Sequence, residues 1–85
     1  MAKRDKLLAK AHQSQKGWTR DEVQRLYLAW GFQVHEGGSH TKYTHPKYPD
    51  LFNFVTRSSG IISPDYVEQA IWAIEKLIER EASHA

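Results

Sequence analysis

The hydrophobic period of the chain changes at Gly31, and this change constrains the fold more than any other feature of the sequence. Over residues 19–30 apolar side chains recur at the three- and four-residue spacing of an amphipathic helix. Over residues 32–45 they alternate with polar side chains, which is typical of a strand with one buried face. Helical spacing returns at residues 67–78. The chain therefore predicts an α+β domain.

Local start and stop signals support the two helices. Thr19 followed by Glu22 forms a capping box, in which each side chain meets a backbone N–H of the first turn. Gly31 is placed to end that helix in the left-handed conformation. Ser63 is the predicted N-cap of the last helix, with Pro64 at its first position.

The central part of the chain predicts three antiparallel strands. Gly37 and Gly38 indicate a hairpin between alternating segments at residues 32–35 and 39–45. Residues 51–57, LFNFVTR, form the third strand, which we expect to be the most buried because it is the richest in apolar residues. The order is α-β-β-β-α, and two helices can cover only one face of the sheet.

An additional helix is predicted at the N-terminus. Residues 3–13 are good helix formers, but only Leu7, Leu8 and Ala11 offer an apolar stripe. We therefore expect a short, loosely packed helix that ends at Gly17.

Charge is unevenly distributed along the chain. Residues 1–20 carry six basic and one acidic side chain, whereas residues 61–85 carry two basic and five acidic ones, and the whole chain has a net charge of +2. The basic end is suited to attract phosphate over a distance. The alternative is a solvated, partly frayed terminal helix.

Length and composition limit the class of protein. Eighty-five residues make one small domain, and the absence of cysteine excludes disulfides and thiol catalysis. No apolar run approaches the roughly 20 residues of a membrane span, and the N-terminus has no signal-peptide pattern. We expect a cytoplasmic protein that is not bound to a membrane.

Three histidines recur at five-residue intervals, at positions 35, 40 and 45. An odd separation places His40 and His45 on opposite faces of a strand, and no carboxylate stands where it would complete a tetrahedral site. We therefore predict no metal site.

His40 carries the clearest chemical signal. It is predicted to share a strand face with Lys42 and Thr44, directly after the glycine pair. An imidazole can transfer a proton near neutral pH, and a neighbouring ammonium attracts a phosphate. From spacing alone, a strand histidine without a catalytic task remains the alternative.

The stretch LYLAWGFQVHEGGSHTKYTHP, followed by a third strand and a closing helix, resembles the HicA-type mRNA interferase toxins of bacterial toxin–antitoxin systems. The match covers residues 18–78. Its strongest points are Gly31-Phe32, Gly38-Ser39-His40 and His45-Pro46.

The resemblance implies a double-stranded-RNA-binding-domain-like fold with the helices on one face of the sheet. It implies an endoribonuclease that cleaves mRNA without a metal or other cofactor, with His40 as the catalytic residue and with Gly38 and Ser39 as the turn that presents it. It also implies a HicB-type antitoxin that covers the histidine and sets the oligomeric state. Lys42 is not part of the resemblance. We assign it as a phosphate contact because it is predicted to share the strand face of His40.

The domain division that follows is a basic extension at residues 1–17, a HicA-like domain at residues 18–81 and a tail at residues 82–85. An exposed sheet face suits A-form RNA, which is recognised through its shallow groove, 2′-hydroxyls and phosphates. Glu36 beside the turn is expected to repel phosphate and to weaken RNA binding.

Two points stay open at the level of sequence. The second proton-transfer group is unassigned, with Lys42, Ser39 and Tyr43 as candidates. A non-catalytic RNA-binding module on the same fold is the alternative function, and a protein-binding subunit that uses Trp72 and the open sheet face is a third.

Overall fold

The structure is a computed structural model that describes residues 2–83. Its elements are α1 (Lys3–Gln13), α2 (Arg20–Ala29), β1 (Gln33–Gly37), β2 (His40–Thr44), β3 (Asn53–Thr56) and α3 (Pro64–Ser83). The strands form one antiparallel sheet in the order β1-β2-β3. The predicted α+β class, the antiparallel three-stranded sheet and the extra N-terminal helix are confirmed.

The capping box at the start of α2 is formed as predicted. The Glu22 backbone N–H donates to Thr19 Oγ1 at 3.3 Å, and the Thr19 backbone N–H donates to Glu22 Oε1 at 3.1 Å. Lys10 of α1 adds an ion pair to Glu22 at 3.1 Å, and this bond lowers the pKa of that carboxyl group. Gly31 has a φ of 86° and ends the helix, as the sequence predicts.

The core lies between α2, α3 and the inner face of the sheet. Its largest fully buried side chains are Tyr27, Tyr43, Leu26, Leu51, Ile74, Val23, Val55 and Val67. The rings of Tyr27 and Tyr43 stack with centroids 4.4 Å apart, which joins α2 to the central strand. No helix within the described part of the chain is long and apolar enough to cross a membrane.

Helix α1 is docked on this core. Ala11 is fully buried, and Leu7 and Leu8 pack against the cluster of buried residues. Trp30 Nε1 donates to the Arg4 carbonyl at 3.1 Å. The predicted helical stretch of residues 3–13 is confirmed, and its polar side chains are exposed, but the expectation that the helix packs loosely is wrong. The helix also ends at Gln13, before the glycine expected to stop it.

Strand β3 differs from its prediction. It is an edge strand, and Phe52 and Phe54 are 43% and 47% exposed, while Leu51 and Val55 are buried. The strand spans Asn53–Thr56 and not the predicted residues 51–57. Because side chains alternate along it, Phe54 lies on the outer face, where its ring contacts that of Phe52 just before the strand. The most buried strand is β2, whose Thr41 and Tyr43 are both fully enclosed.

Helix α3 carries the predicted apolar stripe. Val67, Ala70, Ile74 and Leu77 are buried, whereas Ile78 lies at the exposed margin. Trp72 is 48% exposed on the opposite side of the helix. The helix includes residues 82–83 of the predicted tail, and residues 84–85 lie outside the described residues.

Candidate active site

A two-residue turn, Gly38-Ser39, joins β1 to β2. Gly37 pairs directly with His40, so the hairpin is confirmed, with the first glycine of the pair inside the strand. Gly38 has a φ of 56° and Ser39 a negative φ, the pattern of a type II′ turn, which requires glycine at its first central position. The turn makes His40 the first residue of the central strand.

His40 is exposed on the outer face of the sheet. Its neighbours along the strand alternate as predicted, because Thr41 and Tyr43 are buried on the inner face while Lys42 shares the outer face. Ser39 Oγ lies 3.0 Å from His40 Nδ1. When Nδ1 carries the proton and donates it to Ser39, the Nε2 lone pair is free to accept a proton.

An open depression adjoins the imidazole. It is lined by Gly37, Ser39, His40 and Phe54 and has a volume of about 450 Å³. Strand β3 therefore contributes an aromatic ring to the surroundings of His40, which sequence spacing did not indicate.

Lys42 is the cation of the outer face. Its Nζ lies 4.8 Å from the ring centroid of Phe52 and 5.7 Å from that of Phe54. Within residues 2–83 it forms no ion pair. Positions two apart on a strand are separated by about 6.6 Å, so this positive charge lies near His40.

Glu36 lies on the opposite side of the sheet from His40. It pairs with Thr41 in the register, and its carboxylate meets Arg20 Nη1 at 3.3 Å and Arg57 Nε at 3.4 Å. Arg20 also meets Asp21 Oδ1 at 3.6 Å, so the two guanidinium groups of this cluster are balanced by two carboxylates. That Glu36 weakens phosphate binding stays a prediction, but its carboxylate is paired with two arginines and lies on the face opposite His40.

Arg57 is a residue that the sequence did not single out. Its Nη1 donates to the Gly38 carbonyl at 3.1 Å, and its backbone N–H donates to the Ser39 carbonyl at 3.0 Å. These bonds tie the end of β3 to the turn that presents His40. The only sequence signal is a basic residue directly after the third strand, which is too common to predict such a contact.

His45 is buried and packs against the two residues that follow the end of α2. A Cβ added to Gly31 would stand 3.3 Å from His45 Nε2, and the imidazole packs edge-on against Phe32 with centroids 5.1 Å apart. His45 Nδ1 accepts a bond from the Lys47 backbone N–H at 3.2 Å. Burial lowers the pKa of His45. The Gly-Phe and His-Pro pairs of the resemblance therefore meet in the structure, away from His40.

Tyr43 is removed from the candidates for the second proton-transfer group. Its hydroxyl donates to Gln24 Oε1 at 3.0 Å on the inner face, and burial raises its pKa to about 12. Ser39 and Lys42 remain near His40. His35 shares the outer face, where its Nε2 lies 2.8 Å from Thr44 Oγ1.

Within residues 2–83 no three His, Asp or Glu side chains are grouped so that they could hold a metal ion. No family model, curated protein or solved structure matches the chain. The geometry around His40 and the order of the motifs in the sequence are therefore the features that indicate a function.

Proposed function

We propose that the protein is a HicA-type endoribonuclease that cleaves mRNA with His40 and without a metal. The observation that carries the proposal is the placement of His40. It is exposed at the start of the central strand, lies 3.0 Å from Ser39 Oγ, and shares its face with Lys42, which forms no ion pair among residues 2–83. On this proposal the α-β-β-β-α arrangement is a double-stranded-RNA-binding-domain-like fold, and a HicB-type antitoxin neutralises the protein by covering His40.

The reaction is an internal transfer at phosphorus. His40 Nε2 takes the proton of a ribose 2′-hydroxyl, and the 2′-oxygen forms a bond to the adjacent phosphorus. The bond from phosphorus to the 5′-oxygen breaks, and that oxygen takes up a proton from water or from Lys42. The products are a 2′,3′-cyclic phosphate and a 5′-hydroxyl.

The roles of the neighbouring side chains follow from their chemistry. Ser39 Oγ lies within hydrogen-bond distance of His40 Nδ1 and orients the imidazole; in the tautomer in which Nδ1–H donates to Ser39, Nε2 is the base. Lys42 stabilises the charge that accumulates on the phosphate oxygens. One imidazole cannot accept and donate in the same step, so water or Lys42 protonates the leaving oxygen. A positioned proton-transfer group contributes roughly 10²- to 10⁴-fold.

The proposal is tested by growth arrest on expression of the chain in bacteria. The parent is expected to arrest growth, and His40→Ala is expected to abolish the arrest. His35→Ala is the matched control, because it removes the other exposed imidazole of the same face. Equal toxicity of His40→Ala and the parent, at equal protein levels, would show that the catalytic assignment is wrong.

An RNA-binding module without nuclease activity is the second candidate. The exposed rings of Phe52 and Phe54 beside the partly buried Lys42 favour it, since aromatic rings beside a cation suit RNA whether or not it is cut. This candidate predicts binding that weakens with salt, RNA that stays intact after long incubation, and growth that is indifferent to His40→Ala.

A further inference from the structure

Phe52 and Phe54 are exposed to solvent on the outer face of the sheet, the face that carries His40. Phe52 and Phe54 are 43% and 47% exposed, and their ring centroids are 6.0 Å apart at an interplanar angle of 85°. Exposed aromatic area costs free energy in water, and adjacent exposed rings on a small domain are typical of a binding surface. The helices cover the other face of the sheet, so residues 2–83 do not enclose these rings.

The charges of this face indicate what covers it. Across the three described strands, the outer-face positions include His35, His40 and Lys42 and no carboxylate. The one carboxylate in the strands, Glu36, lies on the inner face between two arginines. The outer face is therefore aromatic and basic, which complements a ligand with flat rings and negative charges.

The register places an aromatic ring next to the imidazole. Phe54 pairs with Lys42 and Thr56 pairs with His40, so Phe54 and His40 are diagonal neighbours on adjacent strands. Both line the depression beside the turn. A ligand that stacks on Phe54 is thereby brought within reach of His40.

We propose that the outer face of the sheet binds unpaired RNA, with a base stacked on Phe54 and the neighbouring phosphate on Lys42. This inference rests on the proposed function, since it gives the substrate class of the same site. The sequence led us to expect A-form duplex RNA as the ligand, whereas the outer face favours single-stranded RNA. Bases inside a duplex have no free face to stack on a side chain, whereas splayed single-stranded bases do.

The test measures fluorescence anisotropy of labelled RNA in the His40→Ala background, so that cleavage does not interfere. The probes are a non-self-complementary 12-nucleotide RNA and the same sequence as a blunt duplex. Loss of one base–aromatic stack corresponds to about 5- to 150-fold in affinity. We expect Phe54→Leu, which keeps an apolar side chain but removes the ring, to weaken single-strand binding by that factor.

Duplex binding is expected to be weaker than single-strand binding and insensitive to Phe54→Leu. Trp72→Ala is the matched control, because it removes an aromatic side chain of similar exposure from α3. Thermal unfolding of each variant confirms that the fold is kept. The inference is overturned if Phe54→Leu binds the single strand like its parent, if the duplex binds as tightly as the single strand, or if neither RNA binds.

The outcomes separate this inference from the proposed function. If the chain with His40 intact cleaves RNA and Phe54→Leu leaves binding and cleavage unchanged, the stacking role fails and the nuclease stands. If single-strand binding depends on Phe54 but the chain with His40 intact never cleaves RNA, the nuclease fails and the binding surface stands.

Discussion

Three histidines at equal intervals occupy three different environments. His45 is enclosed between Gly31 and Phe32, His35 bonds to Thr44 in solvent, and His40 bonds to Ser39 at the head of the central strand. Strand alternation is enough to predict that His40 and His45 face opposite ways, because it depends on nothing beyond the strand itself. That His45 packs against the end of α2 depends on tertiary contacts that alternation does not encode.

At the scale of the residue, His45 is expected to make stability depend on pH. Burial holds its pKa below the ordinary value of 6.5, while Glu81 raises it and Lys47 lowers it. The folded state therefore binds fewer protons than the unfolded state as the pH falls through 6.5. The stability from neutral His45 is present above pH 6.5 and is lost on acidification.

The measurement is the free energy of unfolding in urea at several pH values between 7.5 and 5. His45→Asn keeps an acceptor for the Lys47 N–H but does not titrate, so it should show a smaller loss of stability over this range. Protonation of Glu22 also lowers the stability, because its pKa is lowered in the folded state, but this loss occurs only below its ordinary pKa of 4.5. An unchanged pH slope in His45→Asn would contradict the role assigned to this imidazole.

At the scale of the element, local signals are the most predictable part of the structure. The capping box of α2, the left-handed Gly31 and the glycine turn before β2 all appear as the sequence predicts. Each depends on neighbouring residues only. The exposure of Phe52 and Phe54 was missed because composition indicates an apolar strand but not whether it lies at the edge of the sheet.

Thr19→Ala tests the best-defined element boundary. The substitution removes the side-chain acceptor of the Glu22 N–H and should lower the free energy of unfolding by about 1 kcal/mol. Ser59→Ala, in the exposed loop before α3, is the control and should be close to neutral. Equal urea midpoints for the two variants would mean that Thr19 is not the N-cap of α2.

At the scale of the whole molecule, the main addition to the sequence analysis is the docked α1. The helix itself was predictable from propensity over residues 3–13, but its packing was not, since Leu7, Leu8 and Ala11 form only a narrow stripe. The partners that complete the packing come from α2 and α3. The same limit applies to Arg57, whose contact with the hairpin turn requires β3 to be in register with β2.

Ala11→Asp tests whether α1 belongs to the core. Ala11 is fully buried, so a carboxylate there would lose its hydration without a partner and should cost about 2 to 5 kcal/mol. Ala9→Asp places the same charge on the exposed side of the same helix and should have little effect. Similar unfolding free energies for the two variants would show that α1 is not docked.

Catalysis by His40 is tested most directly by incubating the purified chain with single-stranded RNA in the presence of EDTA and analysing the product ends. We expect 5′-hydroxyl and 2′,3′-cyclic phosphate ends, formed by the parent and by His35→Ala and absent with His40→Ala. RNA that stays intact with the parent, or cleavage that persists in His40→Ala, would contradict catalysis by His40.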